Sequence, residues 1–591
     1  MNRILLALPL VAGICFATLV GCGNSTKTET PSSTAPSIAS GEVAPVRAQW
    51  KDLFEDCTPS SGVDFSYHNG EESNHYTILE SLGGGVALVD FDGDGLLDIF
   101  LIGGGTFHGA NPPTITGSSN RLYKNLGNWK FRDVTTECGL DKPLFYSHGV
   151  AVGDYDCDGW PDLLVTGYRG ITLYANRSAD PAQPNSPKRV FVDVTKAAGL
   201  PEHLPWNTSA AFGDLDGDGF PELFICQYLD WSFDKHRTCP HHTVPVDVCT
   251  PHAFNALRPY LFRNTGKGGF EDIGDRQPLR ADGKGLGVVI TDLDGDGRPD
   301  IYVANDAGDN HLYLNRPGFK LEECGLSRGV AVDETGHPNG SMGIAVADWD
   351  RSSFPSVLVT NFQNEWHALY QNVGRGRFLY QSHPSGLAKL GQKDVGFGTA
   401  FADFDNDGWS DLVISNGHVL RHPVGSTLEQ LPVLMRNTMN GNRRILTNVA
   451  AEAGPYFRTP HQGRGLAVGD LDNDGRLDVV VTHQNAKTVL LRNTGTAVAS
   501  HWVNFRLKGR AHRSITGAKV TIHYRDQVQT QFVTAGGYLS GGDARVHFGL
   551  GADASIDRVT VDWPHGPSQT WTGPFKADRF SLIQEGNTSV E

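Results

Sequence analysis

The chain has 591 residues, 70 of them Gly and 32 Pro, and a formal charge of −16. Glycine and proline in that number favour many short strands and turns over long helices, and the length admits several domains or one long repeat array. No basic stripe accompanies the acidic balance, which argues against nucleic acid as a partner.

Residues 1–21 place Arg3 before an apolar run from Ile4 to Val20 and end Leu19-Val20-Gly21, directly ahead of Cys22. The segment resembles a bacterial lipoprotein signal with its lipobox. That resemblance implies export, cleavage before Cys22 and lipidation of Cys22. The product would be a membrane-tethered protein of the cell envelope, at the outer membrane, in the periplasm or at the cell surface. An ordinary secretory signal or a transmembrane anchor is the competing reading. The small Gly21 and the polar stretch after Cys22 favour the lipoprotein. Residues 22–48 are rich in Ser, Thr and Pro and read as a flexible tether. No later segment is long and apolar enough to span a bilayer.

From residue 49 to residue 498 one pattern recurs. Asp90-Phe91-Asp92-Gly93-Asp94-Gly95-Leu96-Leu97-Asp98 reads D-x-D-x-D-G-x-x-D between two apolar runs. It returns at Asp154, Asp214, Asp292, Asp403 and Asp470, with a broken copy at Asp348. Carboxylates converging in so tight a loop repel one another unless a cation lies among them. Hard oxygens in a flexible loop suit Ca²⁺, which takes roughly 6–8 of them, better than Mg²⁺. By analogy with such loops, the first ligand set is Asp90, Asp92, Asp94, the Leu96 carbonyl and Asp98, with water completing the shell. The second is Asp154, Asp156, Asp158, Trp160 and Asp162; the third is Asp214, Asp216, Asp218, Phe220 and Glu222. The fourth is Asp292, Asp294, Asp296, Arg298 and Asp300. The last two are Asp403, Asp405, Asp407, Trp409 and Asp411, then Asp470, Asp472, Asp474, Arg476 and Asp478. About six structural Ca²⁺ sites are therefore expected. These loops hold 24 of the 66 acidic residues, and six Ca²⁺ would add +12 against the net −16, so the net acidity is mostly metal-site chemistry. The broken copy has Ser352 and Ser356 where carboxylates stand elsewhere, and it adds Arg351; no Ca²⁺ is expected there.

An EF-hand opens the same way but needs Glu at its twelfth position and a helix on each side. Here that position is Leu101, Val165, Ile225, Val303, Ile414 or Val481. The flanks, such as Val479-Val480-Val481, are strand signals, so each loop joins two strands. A third strand follows (Arg121 to Asn125, His311 to Asn315), and a fourth carries a Phe-x-Asp element, as in Phe131-Arg132-Asp133. Four strands per unit of about 60 residues is a propeller blade. Phe54-Glu55-Asp56 precedes the first loop, and no such element follows Asn493. The N-terminal strand is therefore expected to complete the last blade and leave no open edge. Gly85, Gly149, Gly287, Gly343, Gly398 and Gly465 each stand five residues before a first aspartate; Ser209 takes that place in the third unit. These positions belong on innermost strands, where a side chain would not fit. The reading is an all-β chain: a seven-bladed β-propeller over 49–498 and a small C-terminal β domain over 500–586. Strands are expected there at Lys519 to Tyr524, Gln529 to Thr534 and Ser555 to Trp563.

The Phe397-Gly398 lead-in, the Asp loop and the blade count resemble FG-GAP (VCBS) repeats, as in integrin α-subunit propellers. The C-terminal part resembles the ASPIC/UnbV domain in Leu507-Lys508-Gly509, Gly536-Gly537-Tyr538-Leu539-Ser540, His547-Phe548-Gly549-Leu550-Gly551 and Val561-Asp562-Trp563-Pro564-His565-Gly566. Together they are similar to the cartilage acidic protein family, which implies a calcium-binding propeller joined to this domain. The family often has Ser-Asn before Arg513, where this chain has Ala511-His512.

If the loops link first to second strands, all Asp loops share one face of the disc. The opposite face then collects Asn305, Asp306, Asn361, Asn416, His418 and His483 from strand ends, and His148, His337 and His461 from lead-ins. Such a ring offers a ligand site; the plainer reading is turn-capping Asn and solvated His. The same face receives the insertion from Gln227 to Leu257, with Cys239-Pro240-His241-His242 and Cys249-Thr250-Pro251-His252. Its cysteines read as a disulfide of an exported loop or as part of a Zn²⁺ or Cu site; the spacing matches no strong metal signature and favours the disulfide. With no G-x-S-x-G, Walker loop or H-E-x-x-H present, the expected function is non-enzymatic. It is a calcium-binding, membrane-tethered scaffold for adhesion to a protein or glycan ligand on the face away from the metals. The alternative is a metal-dependent enzyme or redox accessory using the His- and Cys-rich mouth, for which UnbV-type proteins of enediyne biosynthesis clusters give a family precedent.

Overall fold

Val86–Val89 and Asp98–Leu101, the apolar runs around the first Asp loop, are buried strands paired antiparallel, with Val89 opposite Asp98. Continuous apolar runs bounded by turn residues fit strands covered on both faces. Fully burying a side chain such as Phe100 or Leu122 contributes roughly 1.5–3 kcal/mol. The structure, a computed structural model, describes residues 50–109, 112–242, 244–495 and 500–591. The signal segment, Cys22 and the tether lie outside the described residues. Among the described residues, no helix is long and apolar enough to cross a membrane.

Among the described residues the strand–loop–strand unit, extended by a third and a fourth strand, recurs in seven antiparallel sheets, the fourth of which gains two further strands, Ala535–Tyr538 and Asn339–Gly340. Their innermost strands are Val86–Val89, Tyr146–Gly153, Asn207–Gly213, Gly285–Thr291, Ile344–Ala347, Gly396–Ala402 and Gly463–Gly469. Each neighbours the next, and the last neighbours the first, so the sheets close into a β-propeller. Phe54–Asp56 is the outer strand of the seventh sheet, with Phe54 opposite Asn493. Both ends of the repeat array thus share one sheet. Crowding at the axis explains the innermost glycines. A Cβ on Gly343 would lie 1.9 Å from the Phe397 carbonyl oxygen, and one on Gly85 would lie 2.2 Å from that of Leu539.

An asparagine on each third strand ties its sheet to the one before. Asn176 Nδ2 donates to the Phe91 carbonyl at 2.8 Å, Asn264 to Tyr155 at 2.7 Å and Asn315 to Leu215 at 2.7 Å. Asn372, Asn437 and Asn493 donate in the same way to Leu293, Trp349 and Phe404. Asn125 closes the belt by donating to Leu471 of the seventh sheet at 2.8 Å.

The C-terminal region has its own core, including Phe505, Ile522, Phe548, Val561 and Trp563. A three-stranded sheet is formed by Val546–Gly551, His501–Lys508 and Arg579–Gln584, the last two parallel. A four-stranded sheet contains Gln527–Phe532, Lys519–Tyr524, Ser555–Asp562 and Ser568–Lys576. This domain sits on the Asp-loop face and meets all seven loops. Arg506 approaches Asp90 at 3.9 Å, and the His512 ring packs over Gly159. His565 bonds the Asp214 carbonyl at 3.0 Å through Nε2, and its backbone N–H donates to the Gly297 carbonyl at 2.9 Å. Arg351 donates to Gln527 at 2.8 Å, and His547 bonds Asn406 at 2.7 Å. Arg545 donates to Asn473 Oδ1 and to the Asp470 carbonyl, each at 2.8 Å.

The domain also sends residues 535–541 into the axis of the ring. Ala535–Tyr538 pairs antiparallel with the innermost strand Gly285–Thr291. Beyond it, the Val150 N–H donates to the Leu539 carbonyl and the Leu88 N–H to that of Gly541, both at 3.0 Å. The Leu539 N–H donates to Ser209 Oγ at 2.8 Å. The one innermost-strand Ser that replaces Gly is therefore a receptor for this segment.

Candidate metal loops and the opposite face

Each intact loop folds by turning its carboxylates onto its own amides. In the first loop Asp90 accepts the Gly93 and Gly95 N–H groups at 2.8 and 3.1 Å. Asp98, the first residue of the second strand, accepts the N–H of Phe91 at 3.2 Å and of Asn125 at 2.7 Å. Asp154, Asp214, Asp292, Asp403 and Asp470 repeat the first-position arrangement. Carboxylates that satisfy amides from several directions converge on one point.

Asp90, Asp92 and Asp98 offer oxygens within 4.8 Å of one another; Asp154, Asp156 and Asp162 do the same, as do Asp292, Asp294 and Asp300, and Asp403, Asp405 and Asp411. In the third loop the convergent group is Asp214, Asp216 and Asp218, while Glu222 accepts the N–H of Leu215 at 2.7 Å and of Asn264 at 3.2 Å. The fifth-position carboxylates of the other groups also bond within their own turns. Asp94, Asp158, Asp296 and Asp407 each accept the N–H of the seventh residue (Leu96, Trp160, Arg298 or Trp409) at 3.0 Å. They cap the turn that their glycine makes.

A cation on the third strand faces each second aspartate. The pairs are Lys124 with Asp92, Arg177 with Asp156, Arg263 with Asp216, Arg316 with Asp294, Arg436 with Asp405 and Arg492 with Asp472. Each pairing engages Oδ2. The other oxygen of Asp92, Asp156, Asp294, Asp405 and Asp472 is buried with no partner. A buried carboxylate oxygen without a donor is costly, and the same atom is orphaned in five loops. The third-strand cation, joined by Arg298 in the fourth loop and by Arg476 in the seventh, does not balance four carboxylates, so each loop keeps net negative charge. Burial pushes the Asp98 carboxyl up to about 8, that of Asp154 to about 7 and that of Asp470 to about 7. A cation among the carboxylates of a loop favours their ionised form. The donor set, all hard oxygen, fits a divalent ion.

The broken loop keeps its fold with fewer charges. Asp348 accepts the Ser353 N–H at 2.9 Å, and the Asn372 N–H takes Ser356 Oγ at 3.1 Å, where the other sheets use a carboxylate. The third-strand cation is replaced by Gln371, bonded to Asp350. Arg351 leaves the loop, donates to the Gly408 carbonyl and stacks 3.9 Å from the Trp409 ring.

The opposite face differs from the open ring expected of it. Of the eight ligand-face residues, His337 alone is exposed; it lies in a turn with Thr335. His461 is half-buried against Tyr456. His148, Asn305, Asn361, Asn416, His418 and His483 are buried. Most of their polar atoms are bonded locally, while His148 Nδ1, Asn305 Oδ1 and Asn416 Oδ1 are buried without a partner. Asn305, Asn361 and Asn416 donate to the carbonyls of Asp309, Trp366 and Leu431. His148 accepts from Trp206 Nε1 at 3.0 Å, and His483 bonds Tyr456 and the Lys487 carbonyl. Burial holds His148 down to about 3 and His418 and His483 down to about 4, so they are neutral.

The mouth is closed by segments from distant parts of the chain. Tyr67, Trp206, Tyr228, Trp231, Phe397, Tyr538 and Leu539 share one apolar cluster. The insertion crosses over it: Asp247 accepts the N–H groups of Arg421 and His422, each at 3.0 Å. Arg421 in turn pairs with Glu80. Cys239 and Cys249 form a disulfide, so neither sulfur is free to ligate a metal. Cys57, Cys138, Cys157, Cys226 and Cys324 are free, and Cys138, Cys226 and Cys324 are buried. The asparagine belt and the third-strand cations escaped the sequence reading. The signal for both was present: each third strand carries an Asn beside a Lys or Arg, as in Lys124-Asn125, Asn176-Arg177 and Arg436-Asn437, except Gln371-Asn372 in the broken unit.

Two family models match the chain. The FG-GAP-like repeat family matches residues 90–165, 158–225, 248–303 and 292–359. The ASPIC and UnbV family matches residues 508–590. The chain thus carries FG-GAP-like repeats and an ASPIC/UnbV domain. Cartilage acidic protein 1 of Xenopus tropicalis is 25% identical over 499 residues, covering 72% of this chain and 71% of that protein. The Homo sapiens protein of the same name is 26% identical over 498 residues, covering 72% and 70%. Among solved structures, the Dos1 propeller aligns with a TM-score of 0.36 at 12% identity, over 70% of this chain and 94% of that one. BBS1N in complex with ARL6DN aligns with a TM-score of 0.36 at 10% identity, over 76% and 98%.

Proposed function

We propose that this chain, an FG-GAP-repeat propeller carrying an ASPIC/UnbV domain, is an exported, membrane-tethered scaffold clipped by Ca²⁺. The observation that carries the reading is the buried, unpartnered second-aspartate oxygen repeated at Asp92, Asp156, Asp294, Asp405 and Asp472. In each loop the converging carboxylates, the first and second aspartates among them, with the seventh-residue carbonyl and water, hold the ion. Its chemistry is structural: it neutralises converging carboxylates and fixes the hairpin between the two inner strands. Cys22 supplies the tether. The face away from the loops takes a protein or glycan partner, presenting the exposed His242, His422 and Val424 around the closed mouth. The reading is non-enzymatic. A metal-dependent or redox enzyme at the mouth loses support from the Cys239–Cys249 bond and the buried histidines.

Thermal unfolding of the full chain in Ca²⁺ and in EGTA tests the metal part. Ca²⁺ binds the folded state, so chelation must lower Tm; an unchanged Tm sinks the assignment. Pull-down from native envelope with and without Ca²⁺ tests the partner part, which fails if nothing is retained in either condition.

A further inference from the structure

We propose that the C-terminal domain reports the metal state of the propeller: cation binding in the Asp loops and docking of the domain, with residues 535–541 in the axis, form one coupled equilibrium. This rests on the calcium reading above and extends it to the domain.

The contacts are placed for such coupling. The domain meets every loop, and mostly through loop backbone or through the residue between the second and third aspartates. Arg545 bonds the Asp470 carbonyl and Asn473. His547 bonds Asn406, and His565 bonds the carbonyls of Asp214 and Gly297. These partners read the shape of a loop and leave its carboxylates free. Loop shape depends on carboxylates crowded within 4.8 Å. With a cation among them they attract one centre; without it they repel, and the loop backbone spreads. A spread loop moves the acceptors that Arg545, His547 and His565 use.

The axial segment converts that local change into a global one. It is hydrogen-bonded to the innermost strands of four sheets, yet it belongs to a domain with a separate core. A domain lifted from the loops draws residues 535–541 out of the ring. By linkage the effect is reciprocal: a domain held on the loops raises their affinity for the ion.

Hydrogen exchange of the full chain, with mass spectrometry in saturating Ca²⁺ and in EGTA, tests this. Peptides over 533–546 are expected to exchange on the order of tenfold faster in EGTA, while peptides over 162–178 stay protected. His547→Ala, which removes a neutral contact and alters no charge, is expected to weaken Ca²⁺ binding several-fold in a calorimetric titration. Bound Ca²⁺ with unchanged exchange over 533–546 overturns the coupling and leaves the calcium reading standing. Absence of bound Ca²⁺ in the titration overturns both.

Discussion

Asn125 is where the ring is tied shut, and its removal has a calculable cost. Its Nδ2 donates to Leu97 at 3.0 Å and to Leu471 at 2.8 Å, and its Oδ1 accepts the Gly127 N–H at 2.9 Å. The side chain is buried. Asn125→Ala removes all three bonds, at about 1 kcal/mol each, and strands carbonyls that cost about 1–3 kcal/mol when buried and unpartnered. The expected loss is ~3–5 kcal/mol. Asn315 supplies an internal comparison. Its Nδ2 reaches Leu215 at 2.7 Å, but its Oδ1 is already unpartnered. Asn315→Ala should therefore cost less, about 1–2 kcal/mol. Leu126→Ala, next to Asn125 but 52% exposed, should stay within about 0.5 kcal/mol. The assay is urea unfolding in saturating Ca²⁺, with midpoints compared at a common slope. An Asn125→Ala midpoint indistinguishable from that of Leu126→Ala would refute the closing belt.

Gly343→Ala should destabilise by about 3 kcal/mol, because its Cβ would lie 1.9 Å from the Phe397 carbonyl oxygen and backbone must move to admit it; soluble yield and urea midpoint check this. Cys239→Ser should cost about 2–3 kcal/mol and leave bound Ca²⁺ unchanged, measured by unfolding and metal analysis on one preparation. His483 is held down to about 4 by burial, against 6.5 for an ordinary imidazole. The unfolded chain therefore binds a proton that the folded chain does not. This contribution is complete above about pH 6.5 and is lost as pH falls towards 4. In Ca²⁺-saturated protein, His483→Gln should flatten the pH dependence of stability by about 1.4 kcal/mol per pH unit across that window.

The parts legible in the sequence are those whose chemistry is local and repeated. Asp90 to Asp98 announces a loop because its carboxylates and glycine lie within nine residues. Phe54–Asp56 could be placed in the seventh sheet because the repeat was out of phase at both ends. The polar ring differs from its sequence expectation for a physical reason. His148, His418 and His483 look like surface residues, but Trp206 stacks on His148, Phe362 packs against His418 and Tyr456 against His483. Long-range packing of that kind leaves no local trace. Gly536-Gly537 carries the ASPIC/UnbV resemblance but gives no sign in the sequence that its backbone enters the crowded axis, beside the Val288 carbonyl. The orphaned oxygens of the second aspartates emerge only once Lys124, Arg177 and their counterparts are seen to take the other oxygen.

Metal content of the purified full chain, equilibrated with Ca²⁺ and freed of loosely bound ions, tests the central claim most directly. Six intact loops and one broken loop predict about six Ca²⁺ per chain and no stoichiometric Zn or Cu. A chain that retains none, or that carries a transition metal in their place, contradicts the account.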